Sequence, residues 1–276
     1  MTINRGYWWA LVATSLAGVC FIGTRLVMRA RASLLNPQAA VTPFTLKVEV
    51  MAYTHNPRGE PHRRQTIAIR SDGSRSVTET ILGRVGLEAG ETAWTIRFID
   101  GRRVTMYPSL RVKSTRRLPG PAAVEQLRAQ MFNPSQDCLS PDFRLDGHDT
   151  LEGQQVAIVT HTSDDLGWKV TDWRAPELAC QSLKYLSYDK QPDGTFKLQT
   201  ESKTVSLELG EPNPALFEEP LDYQEMKPSE PQRMLAEKYH IPVSKDLQET
   251  WDASDRAYFG ALRPDTPAAS AIPQGH

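Results

Sequence analysis

The stretch Trp94-Thr95-Ile96-Arg97-Phe98-Ile99-Asp100-Gly101-Arg102-Arg103-Val104-Thr105-Met106 decides the fold. Trp94, Ile96 and Phe98 alternate with polar residues, a period of two that belongs to a strand with one apolar face. Asp100-Gly101 tolerates positive φ and predicts a type I′ hairpin turn, and Val104 and Met106 resume the alternation on the return strand. Working toward the N-terminus, Ile67 and Ile69 precede a turn at Asp72-Gly73. Before them Phe44, Leu46, Val48 and Val50 alternate with Thr45, Lys47, Glu49 and Met51. If this row and the Trp94, Ile96 and Phe98 row line one concavity, their apolar area has to be covered by helices, by ligand or by both.

Toward the C-terminus, Leu110 and Val112 form a short strand that ends at Leu118-Pro119-Gly120-Pro121. A helix starts at Pro121, with Val124, Leu127 and Met131 at helical spacing, and stops before Asn133-Pro134. Turns are expected at Asp146-Gly147 and Glu152-Gly153, with an apolar run at residues 156–159. Further strands carry Trp168 and Val170, then Leu183 and Tyr185, then Phe196 and Leu198, and a separate last one Val205, Leu207 and Leu209. About nine strands and one helix make an antiparallel sheet with one face to cover, which predicts an open or partly closed barrel. After Tyr223 the period becomes helical. Ser229 with Gln232 reads as a capping box, and Ser244 caps a second helix with an apolar stripe of Leu247, Trp251, Tyr258 and Leu262. These helices dock on the sheet or bind a partner.

The N-terminus supplies an address. Residues 7–24 contain no charge and span roughly 27 Å as a helix, close to a hydrocarbon core of about 30 Å. Snorkelling of Arg25 extends the segment to Met28, and Tyr7, Trp8 and Trp9 suit the interfacial belt. The competing reading is a signal peptide cleaved at Ala30-Arg31-Ala32, and Cys20 lacks the leucine of a lipoprotein signal. The expected organisation is therefore a tail at 1–6, a transmembrane anchor at 7–28, a linker at 29–43, a sheet domain at 44–227, a helical extension at 228–262 and a disordered tail at 263–276. Arg25, Arg29 and Arg31 outnumber the charges before the helix, which argues for a cytoplasmic domain. Long C-terminal domains translocate largely regardless of such counts. Cys138 and Cys180 fit one disulfide in an oxidising compartment, with two buried free thiols as the alternative. The expectation is a single-pass inner-membrane protein whose domain faces the periplasm or exterior.

Two phrases carry a resemblance. Val170-Thr171-Asp172-Trp173-Arg174-Ala175-Pro176-Glu177-Leu178 and residues 209–223, Leu-Gly-Glu-Pro-Asn-Pro-Ala-Leu-Phe-Glu-Glu-Pro-Leu-Asp-Tyr, resemble the closing strands of exported bacterial proteins related to the lipoprotein carriers LolA and LolB. The resemblance covers about two thirds of the chain. It implies a mainly β, strongly curved antiparallel half-barrel with a covering helix and a concave surface suited to acyl chains. The membrane helix and the C-terminal helical extension depart from those carriers.

No composition or motif points to catalysis or to a cofactor. Lys plus Arg is 32 and Asp plus Glu is 33, a net charge of -1 that gives no reason to expect nucleic acid. Three cysteines leave no room for a four-cysteine zinc site. His55 with His62, and His148 with His161, lack metal-ligand spacing and read as surface histidines. Asp164 with Asp165, and Glu218 with Glu219, are neighbours that diverge in loops. Charge is uneven locally, with seven basic residues against one acidic at residues 97–117 and twelve acidic against four basic at residues 207–255. The basic stretch reads as a solvated face, a contact for anionic headgroups or an acidic partner, or a seat for the acidic tail. The reading is a membrane-anchored, non-catalytic module that binds a lipid or lipoprotein acyl chain, with Trp94, Ile96 and Phe98 as lining residues. The alternative is an envelope interaction or sensor protein whose concave sheet its own helices fill.

Overall fold

The computed structural model describes residues 41–53, 60–82, 90–132, 137–140, 142–163 and 166–261. The expected anchor at 7–28, the tail at 263–276, His55, Asp164 and Asp165 lie outside these residues. No described helix is long and apolar enough to cross a membrane.

The strands are β1 (Phe44–Ala52), β2 (Pro61–Ile69), β3 (Arg75–Ile81), β4 (Thr92–Arg97), β5 (Arg102–Tyr107) and β6 (Val112–Arg117), then β7 (Arg144–Leu151), β8 (Gln154–Ser163), β9 (Trp168–Ala175), β10 (Gln181–Lys190), β11 (Phe196–Leu209) and β12 (Gln224–Glu225). Helix α1 (Gly120–Phe132) separates β6 from β7, and α2 (Glu230–Lys238) and α3 (Lys245–Ala261) close the described chain. All twelve strands form one open, curved sheet in the order β12-β6-β5-β4-β3-β2-β1-β11-β10-β9-β8-β7. Hairpin neighbours pair antiparallel; β12 alone runs parallel, beside β6. The pairing of β1 with β11 joins the two halves of the sheet.

The hairpin at Asp100-Gly101 forms, but with a different turn. Only Gly101 has positive φ, at +85°, whereas type I′ needs two such residues. Phe98 N–H donates to the Arg102 carbonyl and Gly101 N–H to the Phe98 carbonyl, so three residues make the loop. Asp100 Oδ1 accepts from the Arg102 N–H at 2.8 Å. The turn expected at Asp146-Gly147 is instead a register shift inside β7. The two strands expected between Phe196 and Leu209 are one. Its alternation is broken where register slips against β10 and against β1, and two short patterns result from one long strand.

Register also separates the two apolar rows. Phe44 pairs with Ile69 and Leu46 with Ile67, while Ala68 pairs with Ser76, Ser76 with Ile96, and Ile96 with Val104. Directly opposed residues share a face, and neighbours in a strand do not. Phe44, Leu46, Val48 and Val50 therefore lie on one face, and Trp94, Ile96 and Phe98 on the other, so the condition that both rows line one concavity is not met. The first face packs Ile67, Ile69, Leu178 and Leu183 with Met131 and Phe132 of α1, and is here called the helix face. The second buries Ala68, Ile96, Val104, Met106 and Phe217.

Ser244 caps α3 as expected, its Oγ accepting from Leu247 N–H at 3.2 Å. Ser229 does not cap α2. Its hydroxyl and N–H go to the two carboxylate oxygens of Asp255, at 2.6 and 3.1 Å, which ties the helices to each other. Ala236, Leu247 and Trp251 form a small core of their own with Ile241 against it.

Candidate functional site

Ile96, Val104 and Met106 are fully buried and form an apolar platform on β4 and β5. Trp94 and Phe98 flank it, half-buried. Trp94 Nε1 donates to Ser76 Oγ at 2.7 Å, and the Arg102 guanidinium lies 3.9 Å over the Phe98 ring. The cover comes from residues 212–223, which follow β11 and cross this face as a strap. Asn213 starts its short 3-10 turn by accepting from Ala215 N–H at 3.0 Å, and the turn drives Leu216 and Phe217 onto the platform.

Charge fastens the strap. Glu219 pairs with Arg102 and, at 3.2 Å, with Lys113, while Asp222 pairs with Arg111. Burial opposes ionisation of Glu219, but the hydrogen bonds from Arg102 and Lys113 outweigh it and hold the carboxyl below its ordinary value. The strap ends in β12, where Gln224 N–H reaches the Arg111 carbonyl and Met226 N–H the Lys113 carbonyl. The acidic C-terminal region thus folds back on part of the basic stretch, as one of the sequence readings held. Beside the strap a groove of about 370 Å³ opens over Thr45, Lys47 and Thr66, with Leu209, Pro212 and Asn213 along its rim. Leu216 belongs to both groove and platform.

The other quoted phrase positions the disulfide. Cys138 and Cys180 are bonded, as expected. Arg174 donates to Asp172 Oδ2 at 2.7 Å and to the Cys138 carbonyl at 3.0 Å, and lies 4.3 Å over Phe143. Asp172 to Arg174 therefore hold the cysteine loop against β9.

Glu91, just before β4, is the other convergent polar centre. It is buried and accepts from Ser109 Oγ at 2.7 Å, Lys238 Nζ at 2.6 Å and the Tyr239 hydroxyl. Burial opposes its charge, yet these donors prevail and keep its carboxyl below the ordinary value. Gln232 of α2 bonds the buried Tyr107, so the helical extension docks on the β4–β6 end of the sheet through polar contacts. Sequence reasoning missed Glu91, which has no pattern around it.

The remaining candidates stay apart. His148 Nε2 lies 3.1 Å from Asp137, and the His161 ring stacks on Trp168 at 4.7 Å. Glu219 is in the strap clasp and shares no site with Glu218. Among the described residues, no three His, Cys, Asp or Glu side chains converge as a metal site.

No family model and no curated protein matches the chain. Solved structures do. A conserved protein of Thermus thermophilus is 12% identical at TM-score 0.37, with 67% of this chain and 90% of that one covered. The MucA/MucB complex of Pseudomonas aeruginosa gives 17% identity and TM-score 0.38, over 67% of this chain and 58% of the other. A domain described as an outer membrane lipoprotein-sorting protein, from Vibrio parahaemolyticus, gives 15% and 0.25, over 61% and 85%.

Proposed function

We propose that the chain is a non-catalytic binding module of the cell envelope, held at the inner membrane by residues 7–28, whose sheet receives a lipid or lipoprotein acyl chain. The observation that carries this is the strapped platform. An apolar surface is covered by a short segment whose C-terminal half is fixed by ion pairs, and Leu216 of that segment also borders an open groove. Lifting the strap gives an acyl chain access to Trp94, Ile96 and Phe98 without unfolding the sheet. The bonded Cys138 and Cys180 support an oxidising compartment and hence a domain outside the cytoplasm.

A second reading has its own support. Phe217 is 7% exposed and Ile96 is not exposed at all, so the strap already fills the platform. In that case the protein is an envelope interaction or sensor module, and its partner meets another surface. Photolabelling separates the two. Membranes carrying the full chain are given a diazirine fatty acid, irradiated, and the labelled peptides mapped. The acyl reading expects adducts on residues 94–98 or 216–217. Label confined to residues 7–28 refutes it and leaves the filled sheet.

A further inference from the structure

Arg75, Arg97, Arg103 and Arg116 stand directly opposite one another across β3, β4, β5 and β6: Arg75 pairs with Arg97, Arg97 with Arg103, and Arg103 with Arg116. Opposed residues share a face, so all four leave the sheet on the helix face in one row. At about 4.8 Å per strand the row is about 14 Å long. All four residues are partly buried. Like charges in direct cross-strand register destabilise a sheet, and withdrawal from water adds to the penalty. Both effects act on Arg75, where burial foremost and Arg97 second push the guanidinium down to about 10. Its Nε is buried with no hydrogen-bond partner. The adjacent row on the same face consists of Thr95, Thr105 and Ser114, also in direct register, with the two threonine hydroxyls 3.3 Å apart.

We propose that this arginine row is a binding site for a phosphate-bearing anion. A guanidinium presents a planar fork that matches phosphate oxygens two at a time, and four forks at strand spacing accommodate two phosphate groups. A bound anion removes the like-charge penalty that the register imposes. The strap cannot serve this row, because Glu219 and Asp222 come down on the opposite face, onto Arg102, Lys113 and Arg111. Arg97, Arg103 and Arg116 also engage neighbours within the fold. Each guanidinium carries five N–H donors, so it shares an anion without surrendering those contacts. The site goes beyond the acyl reading: platform and row lie on opposite faces, and either stands without the other.

The test uses the full chain in an uncharged detergent at low salt, titrated calorimetrically with inorganic pyrophosphate and, separately, with a short-chain phosphatidic acid. The expected result is saturable binding of at least one probe that weakens as salt rises. The Arg97→Gln/Arg103→Gln variant weakens it at least about tenfold, and Arg117→Gln, exposed on the other face, leaves it unchanged. Binding of the lipid alone identifies a headgroup, and of pyrophosphate alone a soluble phosphoester; ladder dependence in either supports the site. The unfolding midpoint of the double variant without anion is measured beside that of the natural chain to establish that it folds. Should it fail to fold, Arg103→Lys keeps the charge and loses the fork, and the same weakening is expected. No binding of either probe, or binding indifferent to these substitutions, overturns the proposal.

Discussion

Replacing Phe217 by alanine separates a removable strap from an ordinary core. Phe217 is 7% exposed, packs with Ala68, Ile96, Val104 and Met106, and has the Arg70 guanidinium 5.4 Å from its ring centre. Truncating a buried phenylalanine costs about 3–5 kcal/mol, the larger values where the surroundings cannot collapse. The strap is a surface segment free to settle onto the vacated space, so the expected cost is at the low end, about 3 kcal/mol. Glu219→Gln removes both ion pairs of one clasp from partners that are 27% and 18% exposed, and about 1–2 kcal/mol is expected for it. Urea unfolding of the full chain in detergent measures both, and photolabelling at residues 94–98 is followed in parallel. A liftable strap predicts that both variants lose stability and gain label. A loss of about 3 kcal/mol with no gain of label refutes the strap as a lid. A loss below about 1 kcal/mol refutes the packing argument itself.

Reducing Cys138–Cys180, 42 residues apart, should lower stability by about 4 kcal/mol on the chain-entropy account, read as a fall in the urea midpoint with dithiothreitol. Gly101→Ala places a Cβ 2.9 Å from Val124 Cγ2 at φ +85°, and should cost about 2 kcal/mol in the same assay. The Glu91 carboxyl is held below its ordinary 4.5, so the stability it contributes is fully present above that pH and is lost as pH falls through its lower folded value. Hydrogen exchange over residues 230–238, corrected for intrinsic rates, should rise in that acidic range, and Glu91→Gln should show the raised exchange already at neutral pH.

Alternation made most strands legible, because one buried face imposes a period of two on β1, β2, β4 and β5. What it could not convey was which face of the sheet each row joins. Phe44 and Ile96 look alike in sequence, and only the unbroken register through β2 and β3 sets them on opposite sides. The same limit hid the arginine row, whose members are 13 to 41 positions from one another or adjacent across a turn, and are aligned by pairing alone. β12 is two residues with no apolar pattern, and it exists because backbone groups of β6 are free to receive Gln224 and Met226. The capping box at Ser229 failed because Asp255, 26 residues later, takes the serine instead.

The hairpin of β4 and β5 specifies two surfaces with one stretch of chain. Trp94, Ile96, Val104 and Met106 build the apolar platform, while the intervening Thr95, Arg97, Arg103 and Thr105 build the polar row behind it. Because the side-chain period is two, a slip of one residue in this hairpin would exchange them, driving arginines beneath Phe217 and exposing Ile96 to the anion row. The register is therefore under constraint from both faces at once. Gly101 fixes it from the turn, since only glycine readily takes φ +85° so close to Val124 and Leu118. The strap adds a second constraint, since Glu219 reaches Arg102 on β5 and Lys113 on β6 together. On the proposed acyl reading, lifting the strap releases one of these two constraints and leaves the turn intact. The sheet can then expose the platform while the arginine row keeps its alignment.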